Sequence, residues 1–235
     1  MICVGGGATL AGSAITEIAE KLGAAVISSI AGKGIVPGAH PLSLGGGVVR
    51  AEVQEYLQQA DVVLAIGTEL SEVDSFEKTL EINGKIIRID IDRDKMNDLY
   101  PAEVELLGDA KSSCEAIAAV LDGITPRSQT VAEVAAIKQK FRTRLSISEV
   151  RHRKALDLLA DVCQLVYTGA FAFDVAAPRL WNYPGGYCTL GSAMPDAIGA
   201  KLARPDTPVV AFAGDGGFMF TVQELVTGAE LGLPL

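Results

Sequence analysis

Four consecutive residues, Gly214-Asp215-Gly216-Gly217, follow the apolar run Val209–Ala213. Glycines in such a place let backbone N–H groups come close to phosphate oxygens. One carboxylate beside them can hold a hard cation such as Mg²⁺, which the phosphates also coordinate. The segment reads as a metal–diphosphate cradle with Asp215 as the metal ligand. The competing reading is a tight strand-to-helix turn with a structural Asp. A second glycine-rich stretch, residues 185–203, leads into a helix of small residues, with Pro195 tolerable in its first turn.

The elements that must position these residues follow from periodicity. Val209–Ala213 predicts a buried parallel strand, and a helix after it, with Thr221 and Glu224 spaced as a capping box. In open α/β sheets ligands bind beyond the carboxyl ends of the strands, so Asp215 is expected there, with Gly216 and Gly217 exposed beside it. Upstream, residues 1–123 alternate strand and helix signals. Strand-like runs are Ile2–Val4, Ala24–Ile30, Ala60–Gly67 and Ile86–Ile91. Helical patterns are Ser13–Leu22, Val53–Gln59 and Ala110–Leu121. Such alternation predicts βαβ units. We expect a parallel sheet of about six strands over residues 2–122, helices on both faces, and Val62–Ile66 central. Thr125-Pro-Arg-Ser-Gln129 is a polar break. The expected division is therefore 1–125, a helical linker over 126–150, and a second unit over 151–235.

Composition narrows the function classes. Of 235 residues, 49% are hydrophobic, enough for substantial cores. A net charge of −9 with no basic patch argues against a nucleic-acid partner. No apolar run reaches the ~18 residues needed to span a bilayer. Met1 leads straight into a strand-like segment without a signal peptide pattern. The four cysteines, Cys3, Cys114, Cys163 and Cys188, form no CxxC pair and no zinc spacing. Reduced thiols in the cytoplasm are expected.

Other chemistry-bearing residues read as structural. Gly5-Gly6-Gly7 opens like a dinucleotide turn, but Leu10 stands where the third glycine belongs, and no acidic residue ends the second strand. His40 beside Pro41 is a turn residue before it is a base. His152 lies in a charged helix start. Asp90 and Asp92 end a strand, where capping or turn chemistry outranks metal binding.

The two glycine-rich segments, Gly185–Ala203 and Gly214–Leu225, stand in the order and spacing of the cofactor-binding domain of thiamine diphosphate enzymes. The chain thus resembles the acetolactate synthase and 2-oxo acid decarboxylase superfamily. The first half resembles the same family's central domain, through Gly32-Lys-Gly-Ile-Val-Pro37, His40-Pro-Leu-Ser-Leu-Gly45, Ala60–Thr68 and Ile89-Asp-Ile-Asp92. The resemblance implies a six-stranded parallel Rossmann-like central domain plus a partial second α/β domain that binds thiamine diphosphate. It implies Mg²⁺ on Asp215, diphosphate contacts from Gly214, Gly216 and Gly217, and a second diphosphate loop at Asp161 and Gln164. It implies that Leu190 wedges the bent cofactor, and that the Cys188 carbonyl accepts from the aminopyrimidine. The implied reaction is decarboxylation of a 2-oxo acid or its carboligation with a second carbonyl compound, in a cytoplasmic homodimer or homotetramer.

Some members hold FAD or an adenine nucleotide in the central domain. Glu69, Glu72 and Asp74 would repel a diphosphate there. Residues Gln164–Phe171 with Gly186-Tyr187 resemble members that decarboxylate guanidino 2-oxo acids. Two parts of the family pattern are missing: the domain carrying the activating Glu, and the Asn that closes the metal motif. We therefore expect a fragment without activity of its own, and a break or a loss of residues between Leu159 and Gln164, where the sequence supplies neither the loop nor the strand that should lead from the helix to Asp161. From another function class, a non-catalytic α/β nucleotide-binding or scaffolding module is the alternative. Titration with thiamine diphosphate and Mg²⁺ separates the two.

Overall fold

The computed structural model describes residues 1–140, 169–170, 174–184 and 187–235. Two compact units emerge. The first comprises Met1–Thr143 and Phe171–Tyr183, the second Arg144–Ala170 and Pro184–Leu235. The expected loss between Leu159 and Gln164 falls outside the described residues, as do Asp161 and Gln164 themselves.

The first unit is built on six parallel strands in the order β3-β2-β1-β4-β5-β6. In chain order its elements are β1 (Ile2–Val4), α1 (Gly12–Leu22), β2 (Val26–Ser28), β3 (Ser43–Gly45), α2 (Ala51–Gln58), β4 (Val62–Ile66), the short α3 (Glu72–Ser75), β5 (Lys85–Asp90), β6 (Val104–Leu107) and α4 (Ala110–Val120). Helical residues 130–140 follow as α5. The sheet is as expected, with β1 and β4 at its centre and all pairings parallel.

Strand side chains alternate between two cores, because successive Cβ atoms point to opposite faces. Ile2, Val4, Leu64 and Ile66 meet α1 and α4 on one face. Cys3, Val63 and Ala65 meet α2 and α5 on the other. Ile15, Ile18, Leu57 and Ile66 are fully enclosed, each contributing about 1.5–3 kcal/mol by burial. Burial also pushes the Cys3 thiol up to about 12, which makes it inert at neutral pH.

Helix α1 ends at Gly23, whose φ of 61° is the left-handed conformation that glycine adopts without strain. Residues 127–130 close over that end. The Arg127 N–H donates to the Leu22 carbonyl (3.1 Å), and Thr130 Oγ1 donates to the Gly23 carbonyl (2.6 Å). Glu133 then accepts from Arg127 and from the Tyr56 hydroxyl (2.6 Å). These contacts fasten α5 to the end of α1 and to Tyr56 of α2, with Val134 and Ile137 buried in the second core. The hydrogen bonds from Arg127 and Tyr56 draw the Glu133 carboxyl down to about 2.

The described part of the second unit contains α6 (Ala193–Ala203), α7 (Asp215–Phe220) and α8 (Glu224–Glu230). The expected strand Val209–Ala213 does not form: residues 208–214 have no regular structure. A strand exists only through its ladder, and the described residues of this unit offer no other strand to pair with. The expected capping box fails too. Thr221 Oγ1 donates to the Gly191 carbonyl (2.8 Å), and α8 starts at Glu224 without a side-chain cap.

Candidate cofactor-binding site

Asp215 is the first residue of α7, exposed, with Gly214 as N-cap. The Gly214 carbonyl accepts from Phe218 N–H (2.7 Å), which starts the helix. The Asp215 carboxylate turns back on the Gly216 N–H (2.8 Å). Around Gly216 the space is open: nothing lies within 4 Å of where a β-carbon would stand. At Gly217 the nearest atom would be Gly191 N at 3.8 Å.

The structure brings the loop of Cys188 and Leu190 to this helix. Gly191 has a φ of 80°, and a β-carbon on it would lie 2.8 Å from that of Phe220. The Thr221–Gly191 hydrogen bond ties the same two segments together. Leu190 is 59% exposed, a large apolar side chain with no protein surface over much of it. Cys188 is exposed and held at a φ of 49°. Its N–H donates to the Pro184 carbonyl (2.7 Å). A non-glycine residue in the left-handed region costs on the order of 1–2 kcal/mol, so its surroundings hold it there.

These groups fit the headgroup of a phosphorylated cofactor. Asp215 and the open backbone of Gly216 and Gly217 can be approached from outside. A diphosphate would take over the Gly216 N–H from the carboxylate, which would then face a cation. Among the described residues, no group of three or more His, Cys, Asp or Glu is placed to hold a metal. One carboxylate ligand suits Mg²⁺, which keeps waters and takes phosphate oxygens for its remaining positions.

The crevice of the first unit has the opposite character. Strand order reverses between β1 and β4, the usual place for a ligand in such sheets. Here Gly5 and Gly7 press against Gly67, and a β-carbon on Gly5 would collide with the Gly67 carbonyl. The N–H groups of that turn are spent internally: Gly5 on Ile66, Gly7 on Gly67, Ala8 on Gly5. Asp74 accepts from the Ile30 N–H (2.8 Å) and the Ser71 hydroxyl (2.9 Å), and burial raises its carboxyl. The cavity lined by Cys3, Ser28, Thr68 and Asp74 has room for about one water molecule. Of the other residues weighed from sequence, His152 lies outside the described residues, and His40, Asp90 and Asp92 fill structural roles. His40 Nδ1 accepts from Leu42 N–H and Nε2 meets Glu20 (both 3.2 Å). Asp90 accepts from Asp92 N–H, and Asp92 caps the turn at Asp94 (both 3.0 Å).

Residues 1–117 match the family model of the thiamine pyrophosphate enzyme central domain. Residues 161–235 match that of the C-terminal TPP-binding domain. The chain belongs to the thiamine pyrophosphate enzyme family. It is 40% identical, over 242 residues, to a Pseudomonas aeruginosa protein described as a probable 2-ketoarginine decarboxylase, covering 98% of this chain and 43% of that one. It is 32% identical to a probable acetolactate synthase large subunit of Methanococcus aeolicus, covering 100% and 45%. With the large subunit of acetolactate synthase isozyme 1 of Escherichia coli the identity is 30%, covering 98% and 44%. The chain thus spans less than half the length of these relatives.

Among the described residues, Lys33, Arg88 and Lys201 are buried cations that escaped the sequence reading. Arg88 on β5 is fully enclosed. It donates to the carbonyls of Thr68 (3.0 Å), Lys95 (2.6 Å) and Tyr100 (3.2 Å), and to Asp98 (2.8 Å). It thereby fixes the loops that close the crevice. Its only sequence signal was a charge inside the apolar run Ile86-Ile-Arg-Ile89. Lys33 is also buried, over the ring of Trp181.

Proposed function

We propose that these residues are the central domain and part of the cofactor-binding domain of a thiamine diphosphate- and Mg²⁺-dependent decarboxylase or carboligase of 2-oxo acids. The observation that carries the reading is the joining of the Cys188–Leu190 loop to the Asp215 helix through Thr221 and Gly191. When bound, the cofactor supplies a thiazolium carbon that stabilises the negative charge left as a 2-oxo acid loses CO₂. The chain's own groups bind and orient. Asp215 holds Mg²⁺, Gly214, Gly216 and Gly217 present backbone to the diphosphate, Leu190 shields the ring system, and Cys188 offers its carbonyl. Asp161 and Gln164 are proposed as a second contact to the diphosphate.

The 40% identity to a relative described as acting on 2-ketoarginine supports a guanidino 2-oxo acid as the substrate class. The proposed division keeps 1–125 as central domain, 126–150 as connecting helix and 151–235 as the partial cofactor domain. A homodimer or homotetramer in the cytoplasm is proposed on the family resemblance. No described helix is long and apolar enough to cross a membrane.

Calorimetric titration with thiamine diphosphate, with and without Mg²⁺, tests the proposal. Saturable binding that needs Mg²⁺ and is lost in Asp215→Ala is the expected result. Binding that is absent, or indifferent to Asp215, overturns it.

A further inference from the structure

Residues 174–183 lie within the stretch that matches the cofactor-binding domain, yet they fold with the first unit. They run against one loop, Gly32–Gly38, which follows β2. The Gly38 N–H donates to the Val175 carbonyl (3.3 Å). A β-carbon on Gly34 would collide with the Ala177 carbonyl, and one on Gly38 with the Asp174 side chain. Lys33, only 4% exposed, sets its ammonium 4.9 Å from the centre of the Trp181 ring, a favourable cation–π distance. From the other side Lys138 of α5 donates to the Gly38 carbonyl (2.7 Å). Two bare glycines, a backbone hydrogen bond and an aromatic clasp thus form a fitted seat for an extended segment.

We infer that the Gly32–Gly38 loop is the seat of the segment 174–183, and that Lys33, Gly38 and Trp181 are positioning residues for the cofactor loop that follows it. The second part rests on the function proposed above. Cys188 lies five residues beyond Tyr183, a tether of at most about 18 Å even fully extended. A seated segment therefore restricts where the Cys188–Leu190 loop can go. Burial works against the charge of the Lys33 ammonium, and the charge of Asp174 and the indole face offset part of that cost.

Trp181 is the only tryptophan, so its emission reports the seat directly. Two variants approach it from opposite sides: Gly38→Val fills the cradle, and Trp181→Ala removes the anchor without touching the sheet. Tryptic cleavage after Arg179, followed by mass spectrometry, reads both. The expected result is a red-shifted, more quenchable emission in Gly38→Val, and cleavage about tenfold faster in both variants, since it follows the open population. Equilibrium dialysis should show thiamine diphosphate with Mg²⁺ bound about tenfold more weakly by each. Emission unchanged in Gly38→Val, with cleavage unchanged in both variants, overturns the seat. Faster cleavage with unchanged cofactor affinity overturns the positioning role. A wild-type chain that binds no cofactor overturns the proposed function and the positioning role with it, while emission and cleavage still decide the seat.

Discussion

The two units use glycine in opposite ways. In the first, Gly5, Gly7 and Gly67 press backbone on backbone at the place where a sheet of this order usually admits a ligand. In the second, Gly216 and Gly217 face open space beside an exposed carboxylate. Side chains follow the same division. Ile66, Ile18 and Leu57 are sealed, whereas Leu190, Met219 and Phe220 are each more than half exposed. A glycine-rich turn is therefore no ligand site by itself. What decides is whether its N–H groups and its missing β-carbons are already taken up by the protein. The first unit takes its glycines up in packing, whereas the second leaves the space around Gly216 open.

The strongest test of that contrast is a cavity in the sealed unit. Ile66→Ala removes a fully enclosed side chain from the central strand. The expected cost is about 2–5 kcal/mol, read as a shift in the denaturant midpoint at unchanged slope. A loss under about 1 kcal/mol would mean that the first unit is not the rigid half.

Asp215→Ala should show the converse. The residue is exposed and begins a six-residue helix, so stability should change by no more than about 0.5 kcal/mol. Mg²⁺-dependent binding of thiamine diphosphate should fall at least about tenfold, or ~1.4 kcal/mol. A large drop in melting temperature would instead assign the carboxylate to structure.

Acid offers a smaller effect, confined to the first unit. The Glu133 carboxyl is held down to about 2 by its hydrogen bonds from Arg127 and Tyr56. A depressed carboxyl gives stability that is complete above the ordinary value, near 4.5, and lost as pH falls toward 2. The pair is partly exposed, so the loss should stay under about 1 kcal/mol. Glu133→Gln should flatten that part of the pH–stability curve. An unchanged curve would show that the Glu133 carboxylate adds nothing to the hold on α5.

The first unit was legible in the sequence because its signals are local and repeated. Apolar runs such as Val62–Ile66 alternate with amphipathic segments, and every strand found a neighbour. The order of motifs likewise led to the thiamine pyrophosphate enzyme family, whose central-domain and cofactor-domain models both match. The strand at Val209–Ala213 was misread because its apolar run describes a sheet, and pairing is a property of the partner strand as much as of the run. The capping box was misread because Thr221 spends its hydroxyl on Gly191, thirty residues away. Lys33 and Trp181 stand far apart in the chain, and nothing in either residue's neighbourhood announces the other. Contacts of that kind are set by the tertiary fold, which periodicity does not encode.

The smallest expected effect concerns Leu190, and it bears most directly on the contrast. A side chain 59% exposed gives up little on truncation, since only the apolar area already withdrawn from water counts. Leu190→Ala should therefore leave the thermal midpoint within the range of ordinary surface changes, about 0.5 kcal/mol. If the residue waits for a ligand, the same truncation should weaken thiamine diphosphate binding while leaving Mg²⁺-dependence intact, because the metal ligand proposed is Asp215. The two variants then separate: Asp215→Ala removes the metal response, and Leu190→Ala lowers affinity with the metal response retained. A Leu190→Ala chain with wild-type affinity would show that its exposure is ordinary surface. One that is unstable would show that Leu190 packs within the second unit, which would weaken the distinction between a sealed unit and an open one.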